Sequence, residues 1–145
     1  MKKALYIFLI FISGMLSAQK NQPTKLVVCN DAVGTVKLFD EYKNQTEKVN
    51  VFKTKASLPS NLKKFGFLAD NGLTEIKLKK NASRPDMMSL EMLNEQYGLP
   101  KNTTVFIDGY QFDHPEINIY SEIIINGKIV DSDGRKSLHI STVDN

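Results

Sequence analysis

One cysteine, two histidines and no tryptophan occur among the 145 residues of the chain. A lone Cys29 excludes a fold stapled by internal disulfides, so packing alone must hold the core. It ends the β-like apolar run Leu26-Val27-Val28-Cys29 and reads as a buried thiol used as a small hydrophobe. Neither His114 nor His139 sits in a metal-ligand motif, which gives no ground for a zinc site. The phosphate-cradling loop, the dinucleotide glycine motif and the Gly-x-Ser-x-Gly turn are all missing. Basic and aromatic residues do not interleave as on a nucleic-acid platform. No cofactor, no metal and no nucleic-acid partner is therefore expected. There is no internal repeat and no low-complexity tract.

One long apolar run is present, and it stands at the start. Lys2 and Lys3 form a basic n-region, residues 4–12 are unbroken ALYIFLIFI, and Ser13 to Ala18 supplies small residues for cleavage. This is the pattern of a secretory signal peptide over 1–18. The uncharged stretch between Lys3 and Lys20 is 16 residues, short of the ~20 needed to span a bilayer. Cleavage is expected rather than anchoring, with no transmembrane span left afterwards. Loss of Lys2 and Lys3 leaves 17 basic against 16 acidic residues, so the net charge falls from +3 to +1. So small a charge does not argue for an anionic partner. Gln19 to Thr24 reads as a flexible leader. The exported chain is expected in the periplasm or outside a Gram-negative-type bacterium.

The remainder, 25–145, reads as a single small α+β domain with mostly antiparallel or mixed strands and a candidate sub-boundary near 80–86. Strands are expected at 25–30, 34–39 and around Val49 and Val51, with a turn at Asn30-Asp31 and a loop over 40–48. Pro59-Ser60-Asn61 breaks regular structure within 53–64. Asp70-Asn71-Gly72 predicts a hairpin between the apolar 65–68 and 73–79, with Thr74, Ile76 and Leu78 inward and Glu75, Lys77 and Lys79 on a wet face. A helix is expected over about 90–97. Ser89 is its N-cap, Met88 and Leu93 form a hydrophobic staple, and Leu90, Leu93 and Tyr97 share one face. Gly98 and Pro100 end it.

A short buried strand follows over 103–110 and breaks at Asp108-Gly109. A polar loop over 111–116, strands at Ile117 to Ile125, a type I′ turn at Asn126-Gly127 and a polar turn over 131–136 lead to a final strand. There Leu138, Ile140 and Thr142 alternate, and His139 faces the other way, toward water.

Asp108, Asp113, His114 and Glu116 are the candidate catalytic cluster, because a histidine beside carboxylates is the raw material of general acid–base chemistry. The same residues are also ordinary turn and loop formers, and no nucleophile motif lies nearby. Asp131-Ser132-Asp133-Gly134 has the start of a calcium loop, but Arg135 and Lys136 follow where acidic ligands would be required.

The order helix, Val105-Phe106-Ile107-Asp108-Gly109, isoleucine-rich strands, Gly134, then Leu138-His139-Ile140-Ser141-Thr142 resembles the plug domain of TonB-dependent outer-membrane receptors. The likeness covers about 53 residues, 90–142. In that family a strand ending in Asp-Gly follows the first helical segment, and a strand of the form Gly, apolar, x, apolar, x, Thr closes the plug. Ile123 to Gly127 departs from the family's hydrophobic-Glu-hydrophobic strand and Lys-Gly. No barrel follows before Asn145, so the resemblance implies a plug-like half without a receptor's transport function, and it carries over no ligand residues. The expected function is a secreted or periplasmic non-enzymatic module that binds a protein or small ligand, with another envelope or secreted protein as the candidate partner. The alternatives are a small hydrolase built on Asp108, Asp113 and His114, or a structural protein of the cell envelope.

Overall fold

Three two-residue turns set much of the strand pairing. In the computed structural model, which describes residues 25–144, Asn30-Asp31, Asp108-Gly109 and Asp133-Gly134 all have positive φ at both positions. That is the type I′ geometry whose twist matches paired strands, and Asn, Asp and Gly reach it at least cost. The first turn joins β1 (Leu26–Cys29) to β2 (Ala32–Thr35), with Cys29 opposite Ala32. The signal peptide over 1–18 and the leader over 19–24 lie outside the described residues.

Eight further strands complete two mixed sheets. They are β3 (Thr46–Phe52), β4 (Leu73–Leu78), β5 (Met87–Ser89), β6 (Val105–Ile107), β7 (Tyr110–Phe112), β8 (Asn118–Tyr120), β9 (Asn126–Ser132) and β10 (Arg135–Ser141). The larger sheet runs β3-β4-β1-β2-β8-β5 and the smaller β7-β6-β10-β9. β1 pairs parallel with β4, β2 with β8 and β10 with β6; the other pairs are antiparallel. With few short helices, this is the expected α+β fold of mostly β character.

The central strands of the larger sheet are covered on both faces, which explains why β1 and β2 are buried at every residue. On one face Leu26, Val28, Val33 and Leu73 meet Leu62, Phe65, Leu90, Leu93 and the inner face of the smaller sheet. On the other, Val27, Cys29, Ile76 and Leu78 pack with Leu38, Phe39, Tyr120 and Ile123. The main core therefore draws on both sides of 80–86, and β8 returns from the second half to pair with β2.

Several elements differ from the sequence-based expectations, each for a local reason. The strand expected over 34–39 stops at Thr35, whose Oγ1 accepts from the Leu38 amide at 3.2 Å and caps the short helix α1 (Val36–Asp40). Capping chemistry overrides a brief alternation there. Residues 53–72 hold 3-10 turns over Lys55–Ser57 and Ser60–Leu68, so β4 pairs with β3 rather than with 65–68. Gln111 and Phe112 belong to β7 instead of a loop, and Phe112 is buried. Ile123 ends a 3-10 turn over Ser121–Ile123. Asn126-Gly127 lies inside β9, not in a turn. A Cβ on Gly127 would come within 2.2 Å of the Tyr97 hydroxyl, so glycine here makes room for that ring.

The helix α2 (Leu90–Gln96) forms as expected. Ser89 Oγ accepts from the Met92 amide at 3.2 Å. At the other end Gly98 (φ 70) donates to Glu95 O at 3.0 Å and Leu99 to Asn94 O at 2.9 Å, a Schellman closure. Asn94 itself is fully buried, and its Nδ2 donates to Lys101 O at 3.1 Å and Thr103 O at 2.8 Å. It thereby ties the helix to the segment entering β6. Among the described residues, no helix is long and apolar enough to cross a membrane.

Asn94→Ala removes both donors from the Lys101 and Thr103 carbonyls and should cost about 1–3 kcal/mol in urea unfolding. Asn94→Asp, which sets carboxylate oxygens against the same carbonyls, should cost more. Equal stability of both variants and the parent would contradict this role.

Candidate functional site

The outer face of the smaller sheet gathers polar and aromatic groups that strand register alone brings together. Parallel pairing of β10 with β6 sets His139 beside Phe106, and their rings stack at 4.6 Å and 21°. Antiparallel pairing with β9 sets Lys128 opposite His139 and Asn126 opposite Ser141. Gln111 of β7 lies across from Phe106. Ser137, two residues before His139 and so on the same face, has its Oγ 3.0 Å from His139 Nε2. A shallow depression of about 230 Å3 opens beside this platform, lined in part by Asp108, Lys128, His139 and Ser141. The result is a flat ring pair bordered by one ammonium, hydroxyls and amides, suited to hydrogen-bonded recognition.

Ser137 and His139 have the identity of a nucleophile and base, but a working pair needs a third group orienting the imidazole. Among the described residues, no carboxylate hydrogen-bonds His139. No group of three or more His, Cys, Asp or Glu side chains is placed to hold a metal among them either. His139 is half-buried against Phe106 rather than open to water as the alternation implied.

The candidate catalytic residues are each engaged elsewhere. Asp108 accepts from the Thr142 amide at 3.0 Å and from the Thr142 hydroxyl, and its own amide donates to Ile140 O at 3.0 Å. Asp113 accepts from Thr104 Oγ1 at 3.1 Å and from Gln111 Nε2 at 2.8 Å. His114 Nδ1 lies 3.4 Å from Glu116 Oε1, an exposed contact, with the ring 6.3 Å from that of Phe67. Asp108 and the Thr104–Asp113 contact occupy opposite ends of β6. Four residues of strand separate those ends, about 13 Å. Asp108 therefore does not converge with Asp113 and His114. Asp131 Oδ1 accepts from the Gly134 amide at 3.0 Å, which is turn chemistry.

Cys29 is fully buried, and Tyr120 donates to its carbonyl oxygen at 2.7 Å. Burial raises the pKa of the Cys29 thiol, partly opposed by its contact with Tyr120. Burial also raises that of Tyr120, with Cys29 adding to it. Both groups are held neutral, the opposite of what a reactive thiolate requires.

A wider, open depression of about 580 Å3, lined in part by Lys25, Asp70, Asn71 and Tyr110, contains no histidine or cysteine. No protein-family model matches the chain, and no curated protein or solved structure matches it.

Sequence reasoning missed the Phe106–His139 platform because parallel register is not written locally. It also missed Asn94, although a polar residue four positions after Leu90 on the apolar stripe was a readable signal.

Asp108→Asn should destabilise the fold by about 1 kcal/mol and Asp108→Ala by about 2–3 kcal/mol, since alanine loses the charged acceptor and resists positive φ. Chemical denaturation measures both; a neutral Asp108→Ala would remove Asp108 from the fold's supports. The raised pKa values of Cys29 and Tyr120 make their contribution complete below the unfolded-state values of about 8.5 and 10. It is lost as pH rises past them, because only the unfolded chain deprotonates there. Urea unfolding followed from neutral to alkaline pH should show this decline, and Cys29→Ala should flatten its first part. An unchanged slope in that variant would contradict the assignment.

Proposed function

We propose that the protein is an exported, non-enzymatic binding module, with a plug-like second half, that engages another envelope or secreted protein. The observation that carries this reading is the outer face of the smaller sheet. It combines an ordered aromatic platform with the side chains of Lys128 and Asn126, and it borders the seven-residue edge strand β9. Among the described residues, no strand pairs with the outer side of β9. An extended segment laid along that edge gains main-chain hydrogen bonds, and its alternate side chains fall beside Lys128 and Asn126, which separate it from the Phe106–His139 platform. Lys128, standing opposite His139, favours a segment that carries a carboxylate.

The basic n-region, the apolar run and the small-residue cleavage pattern of 1–18 support export. The order of helix, Asp-Gly strand and closing strand supports kinship with receptor plugs. The hydrolase alternative gains no support, because Asp108 is committed to Thr142 at one end of β6 and His114 sits at the other.

The test is native capture from periplasm and culture medium, comparing the parent with a Lys128→Glu/His139→Ala variant of unchanged stability. A discrete partner recovered by the parent should fall about tenfold with the variant. Recovery of no partner, or equal recovery by both, would contradict the reading. Tight co-sedimentation with outer membranes without a discrete partner would favour the structural alternative.

A further inference from the structure

The free edge of the larger sheet has a sequence that complements itself. β3 pairs only with β4 among the described residues, and its outer side is open. Val49 and Val51 are 54% and 64% exposed, more than any other large hydrophobic side chain there. They stand two apart on one face, opposite Ile76 and Thr74 of β4. An unpaired strand with neighbouring exposed valines and no proline is a template for a further strand. Asn50 points to the other face, where its Nδ2 donates to Glu75 Oε2 at 3.1 Å.

We infer that β3 is a homodimer interface: a second copy of this chain lays its β3 antiparallel along the first, about a two-fold axis at Asn50. This register sets Val49 against Val51 of the second copy, and Val51 against its Val49. Lys48 meets the second copy's Phe52, so its methylene stem and ammonium lie against a ring. Glu47, in the irregular part of β3, and Lys53, just past its end, are brought to the same end of the contact, and the axis repeats that meeting of opposite charges. A two-fold contact must use one patch on both copies, and this strand supplies apolar, aromatic–cation and charge pairs from a single sequence.

Neighbouring registers lose this match. An axis at Val49 sets Glu47 against Val51, and an axis at Val51 sets Val49 against Lys53. The local irregularity of β3 falls between Thr46 and Lys48, which leaves 48–52 in unbroken register for pairing. The surface is separate from β9 and the Phe106–His139 platform, so either proposal stands without the other.

Sedimentation velocity on the exported chain, from about 1 µM to about 1 mM, should show the mass doubling as concentration rises. Val49→Lys/Val51→Lys, which alters only exposed side chains, should keep the parent's unfolding midpoint at about 1 µM, where the monomer dominates, and weaken the dimer at least about tenfold. Glu47→Lys alone should weaken it, and Glu47→Lys with Lys53→Glu should restore it. Asn50→Cys should form a covalent dimer on oxidation, because residues facing each other across antiparallel strands are about 4.5–5.5 Å apart at Cα. The buried Cys29 does not compete for that bond. A monomer at every concentration would overturn the proposal, as it would if β3 served a foreign partner instead. A dimer that survives Val49→Lys/Val51→Lys, or an Asn50→Cys variant that stays monomeric on oxidation, would overturn it as well.

Discussion

The second half of the molecule depends on the parallel pairing of β10 with β6. Only three residue pairs make up that contact, and its partners lie some thirty residues apart in the chain. Such a pairing must repay loop closure before it contributes anything. Its two ends are clamped. At one, the Leu138 amide donates to Thr104 O at 3.0 Å. At the other, Asp108 gives its amide to Ile140 and takes both donors of Thr142 onto its carboxylate. Hydrogen bonds to a charged acceptor are the stronger kind, at roughly 1.5–3 kcal/mol each. With the strands held so, Val105, Ile107, Leu138 and Ile140 enter the core, and Phe106 and His139 are left stacked on the outside.

The same clamp explains why the acids of this region resist a catalytic reading. Aspartate followed by glycine serves as turn former, left-handed residue and hydrogen-bond acceptor at once. At Asp108 all three uses are filled; Asp133 is a left-handed turn residue, and Asp131 accepts from the Gly134 amide across that turn. What remains uncommitted lies on strand faces and edges. The central strands of the larger sheet are covered on both sides, whereas the smaller sheet buries only its inner face. The outer face of the smaller sheet and the open edges β3 and β9 are therefore the surfaces on which the proposed binding would act.

Where a signal was short-range, the sequence was readable. Ser89 and Gly98 bounded the helix, Asp108-Gly109 and Asp133-Gly134 marked turns, and Leu138, Ile140 and Thr142 announced an inward-facing strand. The burial of Cys29 was legible from its apolar flanks. Where two signals competed, the pattern misled. Thr35 capped a helix inside an apparent strand, and Asn126-Gly127 looked like a turn although Gly127 is small so that Tyr97 can lie over it. Long-range register was not legible at all. The pairing of β8 with β2 and the stack of His139 on Phe106 follow from which strands become neighbours, a property of the whole core. Of the site, the residues alone single out only Asp108, and for a catalytic role it does not share with Asp113 and His114; Phe106, Lys128 and His139 do not read as a site.

The clamp at Asp108 carries this account, and amide hydrogen exchange at Thr142 tests it most directly. Thr142 follows the last residue of β10 and has no strand partner of its own, so an ordinary chain end would exchange there quickly. With its amide bonded to Asp108, it should exchange as slowly as Leu138 and Ile140, and Asp108→Asn should accelerate Thr142 selectively. Rapid exchange at Thr142 in the parent protein, with Leu138 and Ile140 still protected, would contradict the account.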